Sequence, residues 1–81
     1  MKVHGLQKRQ RQVLRNAGDA MGVVRALGYS ERTTAETLVR RGLLVWMRAS
    51  SEGKGGWYEL TSDGWRVVRA MHRDARRRAA Q

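Results

Sequence analysis

The 81 residues are enough for one small domain with a single thin core, and the absence of cysteine excludes a disulfide framework and a thiolate metal site. Seventeen Lys and Arg against seven Asp and Glu give a net charge of +10, which attracts polyanions such as nucleic acid. Fourteen of these cations are Arg, so a GC-rich genome is an alternative source of the charge. No apolar run has the length of a signal peptide or a membrane span, and we expect a cytoplasmic protein without membrane contact.

Two helices are predicted in the first third of the chain. Apolar residues at helical spacing predict a first helix over about 7–16, which ends near Gly18. Asp19 is a suitable N-cap for a short second helix with its apolar stripe within 20–27. Gly28 can adopt the left-handed conformation that ends this helix. Residues 1–5 are expected to form an N-terminal arm.

A third helix and a hairpin follow. In SERTTAETLVRRG, Ser30 is the predicted N-cap and Gly42 ends the helix, with Arg40 in the last turn. A turn of about three residues therefore joins the second and third helices. The segments 43–49 and 57–60 are rich in aliphatic and aromatic residues and read as two strands, separated by the loop SSEGKGG.

The last element is a fourth helix, capped by Thr61 or Ser62. Its apolar positions recur at helical spacing from Trp65 onward. Residues 75–81 form a basic tail that has little to bury and is expected to fray. The chain is therefore predicted to be a single α+β domain over 1–81, mainly helical, with a two-stranded hairpin and the order α-α-α-β-β-α.

The segments RTTAETLVRRGLLVWM and WYELTSDGWRVV, with the glycine-rich loop between them, resemble the recognition helix, the wing and the following helix of winged helix-turn-helix regulators of the MarR and PadR types. The resemblance covers about 6–71. It implies a sequence-specific protein that binds duplex DNA, with the helix 30–41 in the major groove and the wing 50–56 beside an adjacent groove. A small prokaryotic or phage transcriptional regulator, associated with the nucleoid, is the corresponding role.

The residue types at these positions agree with contacts to bases and phosphates. Arginines can donate bidentately, hydroxyls can reach bases or backbone, and a glutamate can accept from a cytosine amine. The candidate residues of the recognition helix are Ser30, Arg32, Thr33, Glu36, Thr37 and Arg40, and those of the wing are Arg48, Lys54 and Gly55. In the alternative for the helix, its charged residues form a solvated face with weak i,i+4 ion pairs.

Other functions remain as alternatives. The chain could be a winged-helix protein-interaction module that docks a partner, or a second copy, through the last helix, whose candidate face is Trp65, Val68, Met71, His72 and Ala75. Binding of RNA is a third alternative. The basic tail could be a solvated tail, a phosphate clamp or a membrane-surface helix. Neither the two histidines nor the scattered acids have the spacing of a metal or catalytic site, so we expect no enzyme, no metal and no cofactor.

Overall fold

The computed structural model describes residues 5–25, 28–49 and 55–79. These residues form three helices and a three-stranded antiparallel sheet, which confirms the α+β class with mainly helical content. The elements in chain order are α1 (Lys8–Asp19), β1 (Val23–Val24), α2 (Tyr29–Arg40), β2 (Leu44–Arg48), β3 (Gly56–Leu60) and α3 (Ser62–Ala79). The predicted order was wrong, because the strand β1 lies where a second helix was expected. The two predicted strands of the hairpin are present as β2 and β3, and β1 adds a third strand to the sheet.

Helix α1 is longer than its pattern predicted. Its first turn is closed by the backbone N–H of Gln7, which donates to Oε1 of Gln10 at 2.8 Å. The predicted end near Gly18 is confirmed, since the last helical residue is Asp19. Gly18 is itself helical, and its lack of a side chain lets α3 approach closely, because a Cβ there would lie 2.8 Å from Cγ1 of Val68.

The segment after α1 turns sharply into a strand. Met21 and Gly22 both have positive φ, at 59° and 88°, and this reverses the chain. The indole of Trp65 leaves no space for a side chain at Gly22. Val23 and Val24 then pair with β3. The helix predicted over 20–27 therefore does not form in the described residues 20–25, and Asp19 closes α1 rather than capping a new helix; positions 26–27 lie outside the described residues.

Helix α2 begins one residue before the predicted cap. Gly28 is its N-cap in an extended conformation, with φ −69° and ψ 174°, so it neither adopts the left-handed region nor ends a helix. Ser30 lies inside the first turn, and its carbonyl accepts from the hydroxyl of Thr34 at 3.0 Å. The predicted end is confirmed: Arg40 is the last helical residue, and Gly42 follows with φ 76°.

The sheet has the order β1-β3-β2. Leu44, Trp46 and Arg48 of β2 stand opposite Leu60, Tyr58 and Gly56 of β3. Gly56 has φ 155°, and a Cβ there would collide with the Met47 carbonyl oxygen and the Trp46 ring. The hairpin is therefore closed tightly at the end that leads into the loop.

Helix α3 begins as predicted and extends further. The Thr61 hydroxyl donates to the Gly42 carbonyl at 2.6 Å and accepts from the Gly64 N–H at 3.0 Å, so it caps the helix and ties it to the end of α2. Val67 is buried among the core side chains. From residue 72 to 79 the helix is exposed on every side, and positions 80–81 of the predicted tail lie outside the described residues.

One core joins these elements. Helix α1 supplies Leu14 and Ala17, α2 supplies Ala35 and Leu38, and all four are completely buried. The remaining core side chains are Leu6, Val13, Val24, Leu43, Leu44, Tyr58, Leu60, Val67, Val68 and Met71. The molecule measures 51 × 21 × 20 Å. A core of this thickness leaves the outward faces of α2 and α3 to solvent.

Candidate nucleic-acid interface

The outward face of α2 is polar and accessible. Ala35 and Leu38 are completely buried and turn this helix toward the core. The opposite arc presents most of the predicted contact residues: Ser30, Arg32, Thr33, Glu36 and Arg40 are exposed, and Thr37 is half-buried. Five of the six candidates therefore stand at the surface of a single helix.

The threonine hydroxyls on this helix bond back along its axis. Thr33 donates to the carbonyl of Tyr29 at 3.1 Å, and Thr37 donates to the carbonyl of Thr33 at 3.1 Å. These bonds use the hydroxyl proton and leave the oxygen lone pairs available as acceptors. The side chains are thus held in one orientation along the helix surface.

Glu36 is connected to the sheet. The hydroxyl of Tyr58, a residue only 3 % exposed, donates to Oε1 of Glu36 at 2.5 Å. Burial raises the pKa of Tyr58 to about 12, and the hydrogen bond and negative charge of Glu36 add to this, while the charge of Arg32 opposes it. The acid on this face is therefore engaged by a neutral tyrosine, and the contact fixes α2 against β3.

Aromatic rings and guanidinium groups lie next to one another at the edge of α2 and the sheet. The rings of Trp46 and Tyr58 meet edge to face, with centroids 4.9 Å apart and planes at 65°. The Arg25 guanidinium stands 5.1 Å from the centroid of Trp57, within the range of a cation–π contact. Arg32 borders the same shallow hollow. This hollow therefore combines two cations with partly exposed aromatic surface.

The hairpin carries part of the predicted wing. Arg48 and Gly55 are both exposed, and Gly55 has φ 77°, a conformation that favours glycine. The backbone N–H of Ala49 donates to the Gly55 carbonyl at 3.4 Å and closes the last rung before the loop. Lys54, the other predicted wing cation, lies outside the described residues.

The structure also contains site residues that the sequence did not suggest. Arg25 was assigned to the predicted second helix, which does not form in the described residues 20–25. No pattern in the neighbouring sequence therefore indicated that Arg25 would lie beside Trp57. Tyr58 is buried in the core, whereas Trp46 packs edge to face on it in the hairpin and remains 43 % exposed. Trp46 and Tyr58 stand opposite each other in the register of β2 and β3, so their side chains lie on the same face of the sheet. That this face meets the edge of α2 is visible only in the assembled structure.

The candidate partner face on α3 is divided by the fold. Val68 and Met71 are buried in the core, and Trp65 is half-buried against Gly22. Only His72 and Ala75 are exposed. These five residues therefore do not form one continuous exposed surface.

No family model, curated protein or solved structure matches the chain. Among the described residues, no three His, Asp or Glu side chains come together in a group that could hold a metal ion. Within the same part of the chain, no helix has both the length and the apolar composition needed to cross a membrane.

Proposed function

We propose that this protein binds duplex DNA through the outward face of α2, with the β2–β3 hairpin as a second contact. The observation that carries the proposal is the arrangement around Glu36. Tyr58 holds the carboxylate of Glu36 against β3, and the other predicted contact residues of this face are arginines and hydroxyl side chains. An exposed helix of this composition matches the shape and the donor pattern of the major groove.

The proposal keeps the winged-helix resemblance in a modified form. A polar helix followed by a hairpin and then a further helix agrees with it, and the short strand β1 pairs with that hairpin. The tight turn between two helices does not agree, because α1 and α2 are joined through β1. We therefore assign recognition to α2 and the hairpin without a supporting second helix.

The roles of individual side chains follow from their positions. Arg32 and Arg40 are exposed and can donate bidentately to a guanine or a phosphate. Ser30, Thr33 and Thr37 offer hydroxyl oxygens to bases or backbone. Arg48 stands on the hairpin and contacts phosphates.

Glu36 has a positioning role, since its bond to Tyr58 sets the angle between α2 and the hairpin. This role extends the earlier expectation of a cytosine contact, for which Oε2 of Glu36 is the available acceptor.

Arg32→Ala and Arg40→Ala test the assignment. Each variant is expected to weaken binding to a selected duplex by about 1 to 3 kcal/mol if the arginine reads a base. Arg15→Ala is the matched control, because Arg15 is exposed on α1 and its substitution removes the same charge. Fluorescence anisotropy measures the affinities. Equal affinities for both α2 variants and the control would refute α2 as the recognition surface.

Lys54→Ala tests the wing separately. A phosphate contact predicts a uniform loss of affinity across sequences and a salt slope that is lower by about one. A change of sequence preference in this variant would instead assign base reading to the wing.

The biological role that fits this activity is a small prokaryotic or phage transcriptional regulator that acts by occupying its site. One observation favours a protein-interaction module as a second candidate: Val45, Trp46 and Met47 are exposed in a row on the edge strand β2, at 43 %, 43 % and 38 %. That candidate predicts weak DNA binding unaffected by substitutions on α2. It also predicts that Trp46→Ser abolishes nuclease-resistant binding of a protein partner.

A further inference from the structure

Helix α3 carries a continuous stripe of arginine. At 100° per residue, its members fall within an arc of about 100° on one side of the helix and span about 16 Å along its axis. They are Arg66, Arg69, Arg73, Arg76 and Arg77, and all five are exposed. We call this set the arginine stripe. It lies opposite the face that α3 buries, which is centred on Val67, Val68 and Met71.

The stripe is electrostatically uncompensated over most of its length. Arg66 forms an ion pair with Asp63 at 3.3 Å, one turn earlier. Within the described ranges, Arg69, Arg73 and Arg76 have no hydrogen bond and no ion pair to another side chain. These three guanidinium groups surround one hollow on the helix surface together with His72. Like charges at this spacing repel one another, so an anionic partner would relieve that repulsion.

The stripe and the outward face of α2 lie on different sides of the molecule. Along α1, the side that holds Arg9 and Asn16 borders α2 at Ser30 and Thr34. Gly18, about half a turn around α1, contacts Val68 of α3. The two helices therefore flank α1 on opposite sides, and each turns its polar face away from the core.

We propose that the arginine stripe is a second binding surface for the phosphate backbone of duplex DNA, so that one protein molecule bridges two duplex segments. This inference rests on the proposed DNA binding by α2 and adds a separate site. B-DNA carries one charge per about 1.7 Å of its axis, both strands counted, so a stripe of about 16 Å lies along a dense row of negative charge. Guanidinium groups suit these phosphates, because each can donate two parallel hydrogen bonds.

The chemistry of α3 favours DNA over a lipid surface. An interfacial helix needs a bulky apolar face that enters the bilayer. The apolar face of α3 is buried in the core as far as Met71. Beyond Met71 the apolar residues of the described helix are only Ala75 and Ala79. Regularly spaced cations without an adjoining apolar surface match a polyanion that binds from outside.

The test counts duplexes bound per protein molecule. A duplex of about 15 base pairs is roughly 50 Å long, the length of the protein itself, and is supplied in excess at about 50 mM salt. Analytical ultracentrifugation measures the mass of each complex, and therefore both the protein and the duplex count. The wild type is expected to bind two duplexes per molecule. It should also hold a labelled duplex on beads that carry a second, immobilised duplex.

The stripe variant is Arg69→Gln, Arg73→Gln and Arg76→Gln together, which keeps helix propensity. We expect one duplex per molecule and a loss of bridging capture of more than about tenfold, since three phosphate contacts are removed. The control variant is Lys8→Gln, Arg15→Gln and Arg78→Gln. These three residues are exposed and lie off both surfaces, so the control loses the same charge and should still bind two duplexes.

The outcomes separate the two proposals. One duplex per wild-type molecule, retained by the stripe variant, would overturn the stripe and leave α2 in place. Two duplexes per molecule in the stripe variant would also overturn it. One duplex that the stripe variant loses, and that Arg32→Gln with Arg40→Gln keeps, would refute DNA binding by α2 and, with it, the bridging of two duplexes. Stripe-dependent binding to phosphatidylserine vesicles, without duplex binding by the wild type, would overturn both proposals.

Discussion

Substitution of Tyr58 by Phe removes the link between the sheet and α2 while keeping the buried ring. The hydroxyl donates to Oε1 of Glu36 at 2.5 Å, and the ring also packs edge to face on Trp46. Phe retains the ring packing, so the substitution isolates the hydrogen bond. A bond to a charged acceptor contributes about 1.5 to 3 kcal/mol, and because Glu36 is exposed we expect Tyr58→Phe to cost about 1 to 2 kcal/mol near neutral pH.

The pH dependence of this difference has a defined sign. The pKa of Tyr58 is raised from 10.0 to about 12 on folding, so the folded state favours the protonated hydroxyl. Its contribution is fully present below pH 10 and is lost as the pH rises through 12. Two pH units correspond to roughly 3 kcal/mol, which exceeds the advantage expected at neutral pH. The advantage of the wild type over Tyr58→Phe should therefore shrink above pH 10 and disappear before pH 12.

Urea denaturation followed by circular dichroism measures both effects, with the unfolding free energy determined at about pH 7, 9 and 11. Tyr29→Phe is the matched control, because Tyr29 is 90 % exposed and the loss of its hydroxyl should leave the unfolding free energy unchanged. A free-energy difference between wild type and Tyr58→Phe that stays constant from pH 7 to 11 would refute the reasoning. So would a Tyr58→Phe variant as stable as the wild type at pH 7.

Three further substitutions test the packing that positions the site, each by urea denaturation. Thr61→Ala should lower the unfolding free energy by about 1 to 2 kcal/mol, because it removes the cap of α3 and the bond to Gly42, and Thr61→Ser should restore most of it. Gly64→Ala should cost about 1 to 3 kcal/mol, since its Cβ would collide with the Leu43 carbonyl oxygen; an unchanged stability would contradict this packing. Leu38→Ala should cost about 2 to 5 kcal/mol and lower duplex affinity only through unfolding, whereas an affinity loss in fully folded protein would contradict a purely structural role.

The sequence predicted the elements whose signal is local. Periodicity and end signals located α1, α2 and α3, and β-forming residues located β2 and β3. The candidate residues predicted for the recognition helix also lie on its outward face, because Ala35 and Leu38 are buried on the opposite side. These features depend on residues a few positions apart, which a single sequence displays directly.

The errors arose where distant residues decide the structure. Val23 and Val24 form a strand because β3, about 35 residues later, supplies the partner, and the apolar spacing of 20–27 imitated a helix. The bond between Glu36 and Tyr58 likewise joins positions 22 apart. Gly22 was a usable warning, since glycine is costly inside a helix and the structure places it at positive φ.

Salt-dependent fluorescence anisotropy tests the central claim most directly. The protein is titrated onto a pool of duplex DNA and onto a matched RNA between about 50 and 200 mM salt. We predict duplex binding with a slope of roughly −4 or steeper, as expected for about five neutralised phosphates, and a preference for the duplex over the RNA. Absence of duplex binding at the lowest salt, or a preference for the RNA, would contradict it.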